Sequence, residues 1–88
     1  MPRVPSPAAA HIGERIRATR EARRISTDDL ASLTEIDSSN IRSYESGRAM
    51  PSIHSLIRIA VALDTSPGDL LEGLDLAQFR VHGGRRAG

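Results

Sequence analysis

The sequence predicts an all-α protein, a compact bundle of five helices, and three observations favour this fold class. The segment from Ile53 to Leu63 repeats apolar residues with the spacing of a helix. No stretch shows the alternation of apolar and polar residues that is typical of a half-buried strand. Residues suited to cap a helix N-terminus recur along the chain, namely Ser26, Asp37, Ser52 and Ser66.

Length and composition indicate one small globular domain. The chain has 88 residues, of which 39% are hydrophobic and 26% are charged, and this is too short for two independent cores. It has no cysteine, which excludes a disulfide scaffold and a thiolate metal site. We expect no metal and no other cofactor. No apolar run reaches the ~18 residues of a membrane span, and no signal pattern opens the chain, so we expect a cytoplasmic protein without membrane contact.

The net charge of +1 conceals an uneven distribution. Residues 1–24 carry six Arg and two Glu, whereas residues 25–48 carry two Arg and five acids, a net charge of −3. All twelve basic residues are Arg, the side chain best suited to paired contacts with phosphate and guanine.

The first half of the chain predicts a tail and three helices. Residues 1–11 contain three Pro and three consecutive Ala, and we interpret them as a flexible tail, with Arg3 as a possible minor-groove arm. The apolar spacing then predicts a helix over about 12–23. Ser26 and Asp37 predict helices over about 27–34 and 38–46, and Gly47 is placed to end the second of these.

The second half predicts two further helices and a terminal segment. In the fourth helix we expect an inward stripe of Ile53, Leu56, Ile57, Ala60 and Leu63. Ser66 and Pro67 open a fifth helix over about 67–73. The domain therefore spans residues 12–74, followed by a segment over 75–88 that ends in a flexible basic stretch. The sequence leaves open whether residues 75–82 form helix, strand or coil.

Helices 27–34 and 38–46, joined by a tight turn inside a bundle, form the arrangement of a helix-turn-helix, whose second helix enters the DNA major groove. If Ile41 points inward, a rotation of 100° per residue turns Ser39, Arg42, Ser43 and Ser46 outward. Arg42 can donate two hydrogen bonds to guanine, and serine hydroxyls can contact any base edge. The alternative is an ordinary solvated face of a surface helix.

Residues 12–71 resemble the phage repressor/Cro-like family, also called the xenobiotic-response-element family. This resemblance implies a lambda-repressor-like helix-turn-helix domain. It covers about two thirds of the chain and depends on a combination of individually weak signals: Ser26, Leu30, Ala31, Ile41, Glu45, Gly47, Pro51, Leu70 and Leu71.

The resemblance also implies a role for particular side chains. Ser38, Ser39, Arg42 and Ser43 match positions that read bases, while Thr27, Asn40, Arg48 and Ser52 match positions that contact phosphate. Arg20 and Glu45 match a structural ion pair between the first and third helices. Arg24 and Glu35 occupy helix ends where family members often have Gly, so a positive φ at either residue would cost roughly 1 kcal/mol.

One domain of this size covers too little DNA for tight specific binding, and members of the family usually bind as two-fold dimers. Some apolar residues are not assigned to the inward face of any predicted helix. They lie in the C-terminal third, and Ile59 or Val61 on the fourth helix is a further one. They either complete the core of the monomer or form a dimer contact. We expect the dimer contact, through Thr65, Pro67, Leu74, Leu76 and Phe79.

The leading hypothesis is therefore that the protein is a sequence-specific regulator of transcription. Members of the family it resembles are most often repressors. The protein would bind near-palindromic double-stranded DNA as a homodimer, without a small-molecule ligand. The alternative is an antitoxin or other protein-interaction module with a protein partner, which binds DNA secondarily. An enzyme is not expected, because His11, His54 and His82 are dispersed and no Gly-rich phosphate loop is present.

Overall fold

A computed structural model describes residues 6–79. Within this range the chain forms five α-helices and no strand, which confirms the all-α prediction. The helices are α1 (Pro7–Ala22), α2 (Thr27–Thr34), α3 (Ser38–Ser46), α4 (Ile53–Ala62) and α5 (Pro67–Leu71), followed by a short 3₁₀ helix at Leu76–Phe79. None of these helices combines the length and the apolar character needed to cross a bilayer.

Serine side chains cap the N-termini of most of the α-helices. Ser26, Ser52 and Ser66 each accept a hydrogen bond from the backbone N–H three residues later, at 3.0 to 3.1 Å. This satisfies one of the backbone N–H groups that a helix N-terminus leaves without an intrahelical partner. Asp37 precedes α3 without such a side-chain bond. Gly47 ends α3 with a φ of 83°, as its position in the sequence predicts.

The prediction of a flexible tail over residues 1–11 is wrong from Ser6 onwards, because α1 begins at Pro7. The Ser6 hydroxyl accepts a hydrogen bond from the N–H of Ala9 at 3.1 Å, and Pro7 occupies the first helical turn. The alanines that follow are strong helix formers, and Ala8 and Ala9 are buried. Arg3, the possible arm residue, lies outside the described residues.

Every α-helix contributes aliphatic side chains to one core. It is formed by Ile12 and Ile16 of α1, Leu30, Ile41, Leu56, Ile59, Ala60, Leu63 and Leu70. Ile36, in the turn between α2 and α3, packs against this core from its edge.

The prediction for the inner face of α4 is partly wrong. Leu56, Ala60 and Leu63 are buried as expected, but Ile59 is buried with them, while Ile53 and Ile57 are exposed. The apolar residues of α4 form two helical stripes, and periodicity alone allows either to face inward. The other stripe, Ile53, Ile57 and Val61, remains at the surface.

Helix α1 packs closely on α3, and Gly13 makes this approach possible. A Cβ atom at Gly13 would lie 2.1 Å from the carbonyl oxygen of Tyr44 and 2.9 Å from that of Glu45. Both are backbone atoms within α3, so no side-chain rotation would relieve the clash.

Arg24 and Glu35 adopt φ values of 58° and 60°, in the left-handed region. These are the two positions at which members of the family often have Gly. Asp64, which follows α4, has a φ of 57°. Each residue carries a cost of roughly 1 kcal/mol that Gly would avoid.

We predict that Gly13→Ala destabilises the protein by about 3 kcal/mol, because the added methyl group overpacks two backbone segments. Urea unfolding followed by circular dichroism measures this change. Gly68→Ala is the matched control, since a Cβ there lies in ordinary contact, 3.7 Å from the Ser66 hydroxyl. An equal stability of the two variants would contradict the close packing of α1 on α3.

Candidate nucleic-acid interface

Helices α2 and α3 are joined by the turn at residues 35–37. Glu35 ends α2 in the left-handed conformation, and the N–H of Ile36 donates to the carbonyl of Ala31 at 3.2 Å. Since Ile36 packs against the core, the turn is anchored from inside. This is the helix-turn-helix that the sequence predicts.

Helix α3 has one buried face and one polar face. Ile41 is fully buried, and Tyr44 packs beside the core. On the other side, Ser39, Asn40, Arg42 and Ser46 are exposed, while Ser38 and Ser43 are partly exposed. The residues expected to read bases are therefore accessible on a single short helix.

The orientation of α3 depends on an ion pair with α1. The Arg20 Nε and Nη2 atoms donate to the two carboxylate oxygens of Glu45 at 2.6 and 3.0 Å. The Arg20 side chain is 12% exposed and that of Glu45 is 8% exposed. Arg20 Nη1 also donates to the carbonyl of Ile25 at 2.8 Å, which ties the α1–α2 connection to the same group.

The electrostatic environment of this pair keeps the guanidinium charged. The hydrogen bonds with Glu45 raise the pKa of Arg20 above its ordinary value, although partial burial opposes the effect. The structure thus brings together the two residues that the family resemblance pairs. In this position all three nitrogens of the Arg20 guanidinium donate to protein atoms.

Two further arginines, Arg15 of α1 and Arg23 directly after it, donate to backbone carbonyls, which sequence reasoning missed. Arg15 donates to the carbonyl of Asp69 at 2.6 and 3.1 Å. Arg23 donates to the carbonyl of Leu63 at 2.6 Å and to that of Asp64 at 3.2 Å. These bonds join α1 to α5 and to the end of α4, so much of the positive charge of α1 has a structural role.

The residues expected to contact phosphate lie at helix termini, in α3 and in a loop. Thr27 is the first residue of α2 and Ser52 is the N-cap of α4. Asn40 lies in the first turn of α3, and Arg48 is exposed in the connection between α3 and α4. Backbone N–H groups and the helix dipole favour an anion at helix N-termini.

Arg42 belongs to α3, and its guanidinium lies between Asp28 of α2 and Ser38 at the start of α3. Its Nη2 atom is 3.4 Å from the Asp28 carboxylate, and its Nη1 atom is 3.4 Å from the Ser38 hydroxyl. The side chains of Arg42 and Asp28 are 58% and 77% exposed. The guanidinium is therefore directed along the outer surface of the helix-turn-helix.

A groove of about 460 Å³ separates α2 from the start of α3. Three carboxylates line it, those of Asp28, Glu35 and Asp37. Within residues 6–79, no group of three or more His, Cys, Asp or Glu side chains is arranged to hold a metal ion. Two of these carboxylates have an arginine partner, Asp28 with Arg42 and Glu35 with Arg58.

The residues expected at a dimer contact form two groups, the partly buried Thr65, Pro67 and Leu74 and the exposed Leu76 and Phe79. The Thr65 hydroxyl donates to the Asp69 carboxylate at 2.7 Å, and Leu74 is partly buried against the core. Pro67 is partly exposed at the start of α5. Leu76 and Phe79 are 79% and 49% exposed on the 3₁₀ helix, which answers the question of conformation for residues 76–79.

A family model described as a helix-turn-helix domain matches residues 13–76. The comparison with curated protein sequences gave no match. Among solved structures, the restriction-modification controller protein C.AhdI from Aeromonas hydrophila is 32% identical, with a TM-score of 0.69. The alignment covers 70% of this chain and 94% of that chain.

Two similar structures contain DNA. The P22 c2 repressor in complex with synthetic operator 9T is 32% identical, with a TM-score of 0.66 over 70% of this chain and 94% of that chain. The biofilm master regulator SinR in complex with DNA is 32% identical, with a TM-score of 0.67 over 69% of this chain and 98% of that chain.

We predict that Arg20→Ala lowers the free energy of unfolding by about 3 kcal/mol, because it leaves the Glu45 carboxylate buried without its partner. Arg58→Ala is the matched control. This variant breaks the more exposed ion pair in which Arg58 Nη2 lies 3.1 Å from Glu35 Oε1. It should lower the free energy of unfolding by about 1 kcal/mol or less. Urea unfolding measures both changes, and equal losses would contradict the anchoring role of Arg20.

Proposed function

The chain belongs to the phage repressor/Cro-like family of helix-turn-helix DNA-binding transcription regulators, and we propose that it acts as a homodimeric repressor. It binds near-palindromic operators with α3 in the major groove. The observation that carries the proposal is the polar outer face of α3, since the opposite face is held by Glu45 and Ile41.

Arg42 is the main base-reading residue of the proposed complex. Its guanidinium can donate two parallel hydrogen bonds to O6 and N7 of guanine, which discriminates against other bases by ~1–3 kcal/mol. Ser38, Ser39 and Ser43 are short enough to let the helix approach the base edges closely. Their hydroxyls both donate and accept, so they contribute less selectivity than Arg42.

Phosphate contacts position the reading helix. Thr27 can present its hydroxyl and the N-terminal N–H groups of α2 to one phosphate. Asn40, Arg48 and Ser52 can contact the backbone around it. Because residues 25–48 have a net charge of −3, we expect binding to depend only modestly on salt concentration.

A homodimer would place two reading helices about 34 Å apart, one turn of DNA. The proposed contact comprises Thr65, Pro67, Leu74, Leu76 and Phe79. Leu74 and Phe79 line an apolar pocket of about 430 Å³ that also includes Met50 and Ile53. This pocket adjoins the connection that carries Arg48, so a contact there would lie close to the DNA.

The likeness to regulators whose structures were solved with DNA supports this function. A protein that binds DNA in this way would act in the cytoplasm of a bacterium. The proposal includes no enzymatic activity and no cofactor, since the fold and family are those of DNA-binding regulators.

A second candidate function, a protein-interaction module such as an antitoxin, is favoured by one observation. The stripe of Ile53, Ile57 and Val61 along α4 is exposed, and Leu33 of α2 lies beside Ile57 and Val61. Continuous apolar surface on a small monomer often marks a protein contact. A toxin gene adjacent to the gene of this chain would favour this alternative.

We predict that the protein binds a duplex from its own upstream region at least about a hundredfold more tightly than a scrambled duplex. Arg42→Ala combined with Ser39→Ala should abolish this preference and keep weak, salt-sensitive binding. Fluorescence anisotropy at two salt concentrations measures both. Arg58→Ala is the control, because it removes the same charge from α4. Equal, weak binding of both duplexes by the folded protein would contradict repression of its own promoter.

We predict that Leu76→Glu with Phe79→Glu converts the dimer to a monomer and weakens operator binding, because charges replace apolar contacts. Sedimentation equilibrium measures the oligomeric state. Val61→Glu is the matched control, since Val61 is 73% exposed on α4. Monomers produced by Val61→Glu, with the C-terminal variant still dimeric, would place the contact on α4 instead.

A further inference from the structure

A carboxylate lies within the surface proposed to read DNA. Asp28 is the second residue of α2, directly after Thr27, and its Oδ1 atom is 3.4 Å from Arg42 Nη2. The charge is unexpected there, since DNA phosphates repel it. Its position next to Arg42 suggests an effect on which DNA atoms that arginine can bind.

The Asp28–Arg42 pair contributes little to folding. Both side chains are mostly exposed, and exposed pairs in water have small net energies because solvent screens them. Asp28 does not cap α2 either, since the Ser26 hydroxyl occupies that role with the N–H of Asp29. Substitution of Asp28 should therefore leave the fold intact.

The same pair becomes more important on DNA. DNA binding would displace part of the solvent around the pair, so the attraction between carboxylate and guanidinium would strengthen as the local dielectric falls. A guanidinium has five N–H donors. Contacts with Asp28 and Ser38 use some of these donors and restrict the rotation of the side chain, while others remain available for a base.

We propose that Asp28 is a specificity-determining residue that positions Arg42 toward a guanine and opposes its use as a phosphate contact. The inference rests on the proposed function. A correctly placed guanine accepts two hydrogen bonds while the pair with Asp28 persists. A phosphate in its place brings a second anion toward the carboxylate, so repulsion weakens binding to non-operator DNA.

The groove beside Arg42 adds to this effect. Glu35 and Asp37 line it with Asp28, and although Glu35 is paired with Arg58, a phosphate that approaches from this side meets three carboxylates. Asp28 is the member of this group that contacts the reading arginine. Its two effects, general repulsion and orientation of Arg42, can be separated by a neighbouring substitution of equal charge.

The experiment compares Asp28→Asn with Asp29→Asn. Both remove one negative charge from the first turn of α2, but Asp28 is the residue paired with Arg42. Fluorescence anisotropy is measured on the operator, on a scrambled duplex, and on operators in which each G·C pair is replaced singly. Thermal unfolding of each variant verifies that the fold is retained.

We expect both variants to bind the scrambled duplex about five- to tenfold more tightly, because each lowers repulsion by one charge. Asp28→Asn should also reduce discrimination at the guanine read by Arg42 by about three- to tenfold, whereas Asp29→Asn should preserve it. In an Arg42→Ala background, Asp28→Asn should have no further effect on discrimination.

Equal discrimination by the two variants would overturn the proposal, because Asp28 would then act through its charge alone. A folded wild-type protein that binds every duplex equally would contradict repression of its own promoter, and the inference with it. The first result leaves the regulator function intact, so the two failures are distinguishable.

Discussion

The ion pair between Arg20 and Glu45 determines which side of α3 is available to bind DNA. A carboxylate on the inner side of α3 requires a partner, and Arg20 meets it with two hydrogen bonds. Gly13 allows the backbones of α1 and α3 to approach closely enough for this contact. Because Ile41 of α3 is also fully buried in the core, α3 has little rotational freedom. The serines and Arg42 on its other side therefore remain at the surface, and base readout would depend on that fixed orientation.

The arginines divide into those that hold the helices together and those that are exposed for the proposed DNA contact. Arg15, Arg20 and Arg23 bind carbonyls or a buried carboxylate and hold α1 against the other helices. Arg42 and Arg48, in contrast, are exposed in or after α3. Since acidic residues outnumber arginines around the reading helix, the proposed complex relies on geometry more than on total charge. Asp28 fits this interpretation, because it weakens attraction to all DNA and orients one arginine.

Local features of the structure could be predicted from the sequence, while most features that depend on distant residues could not. The Arg20–Glu45 pair is the exception, because the family resemblance implied it. Ser26, Ser52 and Ser66 cap helices as expected, because a cap involves only three following residues. The start of α1 was missed because prolines and alanines at a terminus resemble a tail. The buried face of α4 was uncertain because two apolar stripes fit one helix, and only packing against α2 and α5 selects between them. The Asp28–Arg42 contact joins residues on two helices, so no local pattern indicated it.

Chemical-shift mapping on operator DNA tests the central claim most directly. The ¹⁵N-labelled protein would be titrated with the upstream duplex, and amide shifts would be assigned along residues 6–79. The account predicts that the largest changes occur at Thr27, Ser39, Arg42 and Arg48, with the Arg42 side-chain resonances shifted by base contact. Changes concentrated on Ile53, Ile57 and Val61, with α3 unaffected, would contradict it and would identify α4 as the binding surface.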